Sequence, residues 1–216
     1  PDDAIFYTSG RTSNEAAFMY QLFVRMFGTN NLPDCSNMCH ESSGVALSET
    51  VGIGKGSVTL EDFDEAEVIL VIGQNPGTNH PRMLNALKKA KQNGAKIITI
   101  NPLPETGLIR FKDPQSIGDV LGEGTALTDL FLQVKINGDV ALLKAILKLL
   151  CAKERENPGK VFDADFIHTK TEGFEAFISS IEAYDLAKLS KACGISTDQI
   201  HEAAEMLAST SKIIAC

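Results

Sequence analysis

The sequence predicts an α/β protein: a doubly wound, mainly parallel sheet with helices on both faces and a helical excursion near residues 160–210. Three observations carry that expectation. "EVILVIG" (67–73) is apolar through its middle, as a strand covered on both faces must be. A loop, a helical pattern over 81–93 and a second apolar run, "AKIITIN" (95–101), follow it in the order of a right-handed βαβ unit. Beyond residue 138 a series of helical patterns leads to a last apolar run at 212–216.

Taken in order, residues 4–10 read as a buried strand. "RTSNEAAFMYQLFVRMFG" then places Phe18, Leu22 and Met26 at helical spacing, and Gly28 suits a helix stop. A polar loop (29–44) and a glycine-dotted stretch (51–63) precede the strand at 67–73. Pro81 suits the first turn of the next helix, and Asn93-Gly94 its end. Residues 107–127 read as loop-rich, with a short helix near Gln115 to Leu121. "DLFLQVKI" (129–136) fits a strand or a helix joined to the next one, the strongly amphipathic 138–156. Past Pro158, short helices are expected near 163–169, 173–181 and 185–192, then a longer one at 197–209. The chain opens without methionine just before one apolar run and stops inside another, which predicts a fragment of a larger multidomain protein.

Composition excludes several classes. The net charge of −8 provides no basic field for nucleic acid or an anionic membrane. An anion must therefore be held by local backbone donors. No apolar run approaches the roughly 18–20 residues of a membrane span. Five scattered cysteines do not form a disulfide framework, which points to a reducing, cytoplasmic setting.

Two stretches carry candidate chemistry. "PDCSNMCHESSG" (33–44) gathers Cys35, Cys39 and His40. A zinc site needs a second ligand pair, yet Cys151, Cys193 and His168 stand alone; haem and iron–sulfur spacings are also absent. Taken alone, the cluster reads either as a nucleophilic cysteine with a histidine or as a small buried thiol beside a hydrogen-bonded histidine. "GQNPGTNHP" (73–81) follows a buried strand and precedes a helix, so it reads as a phosphate cradle or as a structural turn. It lacks the G-x-G-x-x-G pattern, and Asn101 ends the next strand where a ribose-binding carboxylate is common. In "GIGKGS" a glycine separates Lys55 from Ser57 and no clear strand comes first, which excludes a P-loop. Cys35, Cys151 and Cys193 are expected as core thiols, His168 and His201 as solvated helix residues.

The combination is more specific than any part. "SGRTSNEAAFMYQLFVRMFGTNNLPDCSNMCHESSGVALSETVGIGKG" resembles the molybdopterin-guanine-dinucleotide oxidoreductases, in particular the formate dehydrogenase alpha-subunit group. The family's Asn-Glu pair is matched by Asn14-Glu15, its "GTNN" by 28–31, and its C-x-x-x-[Cys or selenocysteine]-His segment by Cys35, Cys39 and His40. "VILVIGQNPGTNHP" is similar to the family's cofactor-contacting loop, "NGAKIITINP" to its next strand, and "INGDVALLKAI" to its guanine-recognising segment. The resemblance implies Cys39 as the metal ligand and His40 as the neighbouring catalytic proton acceptor. It implies cofactor contacts from Ser9, Gly10, Asn14, Gly73, Gln74, Asn75, Pro76, Gly77, His80, Asn101, Gly138 and Asp139. His80, on its residue type alone, reads as a loop or cap group.

The cofactor so implied is molybdenum or tungsten bis(molybdopterin guanine dinucleotide), with a [4Fe-4S] cluster upstream where present. The implied partners are formate or a similar small substrate and an electron-transfer subunit. Residues 1–34 would be a strand–helix element of a neighbouring cofactor-binding domain, and 35–216 a truncated cofactor-binding α/β domain, inactive in isolation. The alternative is a non-catalytic molybdopterin-fold binding module of a redox complex. A zinc or sulfur-handling enzyme with Cys39 as nucleophile is a further rival.

Overall fold

The computed structural model describes residues 1–9, 12–33 and 40–216. They fall into two compact units, 1–57 and 58–216.

In the first unit, α1 (Asn14–Phe27) is capped by Ser13, whose hydroxyl accepts from the Ala16 N–H. It stops at Gly28, where φ of +97° suits a residue without Cβ and the N–H returns to Val24 and Arg25 carbonyls. Residues 4–9, expected as a buried strand, pair with no strand among the described residues. The segment is extended, and the Phe6 N–H donates to the Asn31 carbonyl (2.9 Å). Its alternation turns Phe6 inward, edge-on to Tyr20, Phe23 and Phe27, and leaves Ile5 72% exposed. Phe18, Leu22 and Met26, placed at helical spacing by the sequence, are exposed on α1, Met26 at 88%, and Val24 is buried. A second helix, α2 (Glu41–Val51), forms where a polar loop was expected as far as 44. Ser42, Ser43 and Gly44 dilute its apolar pattern enough to hide it.

The second unit begins with α3 (Asp62–Glu65). The Asp62 carboxylate accepts from the N–H and hydroxyl of Thr59, which holds its carboxyl below the ordinary value. Then come β1 (Val68–Ile72), α4 (Pro76–Asn79), α5 (Met83–Gln92) and β2 (Lys96–Ile100). α5 starts at Met83 and not at Pro81, because residues 80–82 form the turn out of α4, closed by the Met83 N–H on the His80 carbonyl (2.8 Å). After β2 the chain passes through α6 (Thr106–Ile109), β3 (Arg110–Phe111), α7 (Ile117–Leu121) and β4 (Thr125–Ala126), where β3 and β4 form an antiparallel hairpin, to β5 (Leu130–Leu132). Five helices follow: α8 (Asp139–Glu156), α9 (Ala164–Lys170), α10 (Phe174–Glu182), α11 (Leu186–Cys193) and α12 (Thr197–Ala208). β6 (Ile213–Ala215) ends the chain.

The main sheet is parallel in every pairing, in the order β5-β2-β1-β6. The chain steps outward from β1 to β2 and β5, then returns by way of α8–α12 to the other side of β1. Alternation along the strands feeds two cores. Val68, Leu70, Ile98, Ile100, Leu130 and Leu132 pack against Leu142, Ala145 and Ile146 of α8 and against α11 and α12. Ile69, Val71 and Ile97 face the opposite way, onto Leu84, Leu87 and Ala90 of α5. Helices cover both faces, so this is the doubly wound α/β architecture the apolar strands predict. Cys151 and Cys193 lie in the core, and burial pushes the Cys151 thiol up. His168 and His201 are exposed on helices.

One ionic cluster ties the βα excursion down. Lys88 on α5 reaches Asp119 (2.7 Å) and Asp113 (3.1 Å), all three side chains less than a fifth exposed. The Asp119 and Asp113 carboxylates hold the Lys88 ammonium above its ordinary value, and the Gln115 N–H with Lys88 holds Asp113 below its own. Asp113 thus contributes stability above its unfolded pKa, lost as acid takes the pH down through the depressed folded value. Lys88 contributes below its unfolded pKa, lost as base takes the pH up through the raised folded value. Lys88→Met is expected to lower the thermal midpoint at pH 7 and leave a shallower fall below pH 3.8 than wild type shows. Thermal melts across pH test it; parallel curves for the two proteins would refute it.

Candidate functional site

β1 ends at Gly73, whose φ of +69° turns the chain out of the sheet while its N–H donates to the Ile100 carbonyl (2.9 Å). The loop then folds into α4, whose Pro76 at the first position needs no N–H partner. Thr78 and Asn79 N–H groups return to the Asn75 carbonyl, and the His80 N–H to that of Pro76. Among the described residues the N–H groups of Gln74 and Asn75 have no acceptor. No described residue satisfies these two donors.

Opposite stands the segment after β2. Asn101 is buried, and its Oδ1 accepts from the Leu103 N–H (2.9 Å), which shapes the turn into 102–105. A cleft of about 310 Å³ opens between the two segments at the carboxyl edge of the sheet. Gly73, Asn75 and Asn79 line one wall, Asn101 and Glu105 the other, and among the described residues no lysine or arginine lines it. The walls lock together behind the cleft, at Gly77 and Gly107. A Cβ on Gly107 would stand 2.7 Å from both Gly77 Cα and Asn75 Oδ1. Only hydrogen fits at either position. Asn75 donates to Thr78 Oγ1 (3.1 Å), while its Oδ1 is buried without a donor. An unpaired buried acceptor costs about 1–3 kcal/mol, which marks the loop as shaped for more than its own stability.

Of the residues singled out from the sequence, the structure brings Gly73, Asn75 and Asn101 together in this cleft. Gln74, Pro76, Gly77 and His80 belong to the same loop but do not line it, and His80 is exposed as the cap of α4. Gly138 heads α8, packed so closely that a Cβ would meet the Lys135 carbonyl oxygen at 2.8 Å and Cys193 Cα at 2.9 Å. Asp139 is half-buried in the first turn of α8, where a carboxylate suits the helix dipole. Ser9, Asn14 and His40 lie in the first unit. His40 is exposed at the head of α2, with its carbonyl accepting from the Gly44 N–H and no side-chain cap bond. Gly10, Cys35 and Cys39 lie outside the described residues. Among the described residues no group of three His, Cys, Asp or Glu side chains could hold a metal ion. Asn79 and Glu105 of the cleft lining, and Gly107 behind it, were missed; for Glu105 the signal in the sequence was an acid five residues after the end of β2, in "NPLPETG".

A cleft at the carboxyl edge of a parallel sheet is where α/β proteins bind nucleotides. Residues 2–156 match the model of the molybdopterin oxidoreductase family. The chain belongs to that family. An uncharacterized oxidoreductase of Mycobacterium tuberculosis is 54% identical over 216 residues, covering 100% of this chain and 28% of the relative. The F420-dependent formate dehydrogenase 1 alpha subunit of Methanococcus maripaludis is 30% identical over 212 residues, 98% of this chain and 28% of that subunit. The chain therefore spans little more than a quarter of the length of these relatives. The acetylene hydratase of Pelobacter acetylenicus superposes with a TM-score of 0.64 at 22% identity, over 91% of this chain and 24% of that one, which shows a shared fold. Membership in the molybdopterin oxidoreductases makes a molybdenum or tungsten pterin the group to test against the cleft. The fit is good. Among the described residues the loop has N–H groups without an acceptor, which suit an acidic group, and glycine where backbones must meet. No described helix is long and apolar enough to cross a membrane.

Proposed function

We propose that this chain is the central cofactor-binding part of a molybdenum- or tungsten-dependent oxidoreductase that carries out a formate-dehydrogenase-like, two-electron oxidation of a small substrate. The match of residues 2–156 to the molybdopterin oxidoreductases carries the reading. The 30% identity to a formate dehydrogenase alpha subunit supports its direction. The cofactor would be the bis(guanine dinucleotide) form, supplying two-electron redox chemistry when bound.

The chain's own residues have separate tasks. Cys39 is the thiolate ligand; a soft, anionic sulfur suits a metal held by dithiolenes, and coordination favours its deprotonated form. His40 follows it directly and takes the substrate proton on a ring nitrogen. Gln74 and Asn75 direct backbone donors to a dinucleotide phosphate, which an acidic chain must hold without help from its overall charge. Gly138 and Asp139, at the head of α8, serve the guanine of a dinucleotide. Ser9, Gly10 and Asn14 contribute from the first unit. An electron-transfer partner, cytoplasmic residence and an upstream iron–sulfur cluster belong to the same proposal.

Elemental analysis of the full-length protein, purified from cells able to make the cofactor, tests it. One molybdenum or tungsten per chain is expected, with a guanine nucleotide released for each of the two dinucleotides. Wild-type protein empty of metal and pterin would sink the reading and favour a non-catalytic module of the same fold.

A further inference from the structure

Between β2 and β5 the chain crosses the α5 face of the sheet through the short elements α6 to β4. Leu108 and Leu127 are buried there, and Phe111 packs against the same core. α7, in the middle of that crossover, is turned inside out. Its charged residue, Asp119, faces inward, where the carboxylate accepts from Lys88 (2.7 Å) and from the Asp113 N–H (3.3 Å). Its large apolar residues face outward: Ile117 is 79% exposed, Val120 52% and Leu121 84%. A helix on a water-facing surface shows the opposite polarity, with charges outward and aliphatic groups toward the core.

The inversion is held in place. Ser116 caps the helix by accepting from the Asp119 N–H, and Lys88 binds Asp113 and Asp119 together beneath it. Three aliphatic side chains fixed toward water within five residues gain nothing from the solvent, and such a patch marks a contact surface. Its size decides what covers it. The three side chains offer on the order of 300 Å² of apolar area. A stable interface between separate molecules takes about 800 Å² from each partner. A contact this small holds when a covalent tether keeps both sides at high local concentration. The length for such a tethered segment exists, because this chain covers 28% of relatives that match it over 98 to 100% of its own length.

We propose that α7 is a docking point for another segment of the same polypeptide, outside these 216 residues, which lays an apolar face over Ile117, Val120 and Leu121. The Lys88–Asp113–Asp119 cluster then has a second task besides stability: it sets the rotation of α7 and so presents the apolar side to that segment.

The test is Leu121→Cys in the full-length protein, alkylated with N-ethylmaleimide and followed peptide by peptide by mass spectrometry. The new thiol is expected to react at least about 10-fold more slowly in native protein than in denaturant, equally at high and low protein concentration. Reaction within about twofold of the denatured rate would show an open surface and overturn the proposal. Protection that disappears on dilution would assign the face to a second copy of the chain and overturn it as well. Cys151 and Cys193, both in the core, report folding in the same sample by staying unlabelled. If they react in Leu121→Cys, the same rates are read from Val120→Cys, a change of little volume on the same face.

Discussion

Leu142→Ala is expected to destabilise the sheet-bearing unit by about 3 to 5 kcal/mol, near the upper end for a single leucine truncation. Leu142 is 0% exposed and belongs to the core shared by the strands, α11 and α12. It lies on the first turn of α8, where its N–H donates to the Gly138 carbonyl (2.9 Å). Collapse into the vacated space is blocked on the side of Gly138, which already touches the backbone of Cys193 and Lys135. A cavity that cannot relax costs more than the transfer energy of the lost methyl groups. Denaturant unfolding of the chain followed by circular dichroism measures the effect. A loss below about 1.5 kcal/mol, the range of well-tolerated swaps, would show that α8 shifts to fill the space.

Cys39→Ser is expected to reduce turnover of the full-length enzyme more than 100-fold, since changes to residues that merely support a metal ligand already cost about 10- to 100-fold. Serine offers a hard, weakly acidic hydroxyl in place of a soft thiolate. His40→Gln should also lower turnover but leave metal content intact, because in the proposed assignment it removes a proton acceptor and no ligand. The contrast between the two is the informative measurement. Metal lost or spectroscopically altered in the serine variant, and unaltered in the glutamine variant, fits the two assigned roles. A serine variant with wild-type activity would dismiss Cys39 from the chemistry.

Much of the second unit was legible because its signals are local. β1 reads as a strand from an unbroken apolar run, β2 from three isoleucines in five residues, and α8 from a pattern sustained over 18 residues. In the excursion, Asp163, Asp185 and Ser196 cap α9, α11 and α12, each accepting from an N–H three residues on, while α10 starts at Gly173 without a side-chain cap. The first unit was harder. An extended apolar segment reads as a strand whether or not a neighbour exists to pair with it, and at 4–9 none does among the described residues. α1 carries apolar residues on two faces, and only the position of Phe6 decides which one packs. In the cleft, Gly73, Asn75 and Asn101 could be read from strand ends. Glu105 could not, because its place depends on a turn made by the side chain of Asn101.

The position of β6 sets a schedule for folding. Val68 of β1 pairs with Ile213 of β6, a partner made almost at the end of this sequence. During synthesis β1, β2 and β5 can associate early, while one edge of β1 waits for its neighbour until all five helices of the excursion have emerged. Until then the backbone groups of Val68, Leu70 and Ile72 that bond to the last strand form an open row of donors and acceptors, the kind of template on which strands of other chains add. Closing so distant a pair is slow. Yield at high expression should therefore depend more on lowering the number of chains being made at once, or the temperature, than on the stability of the finished fold.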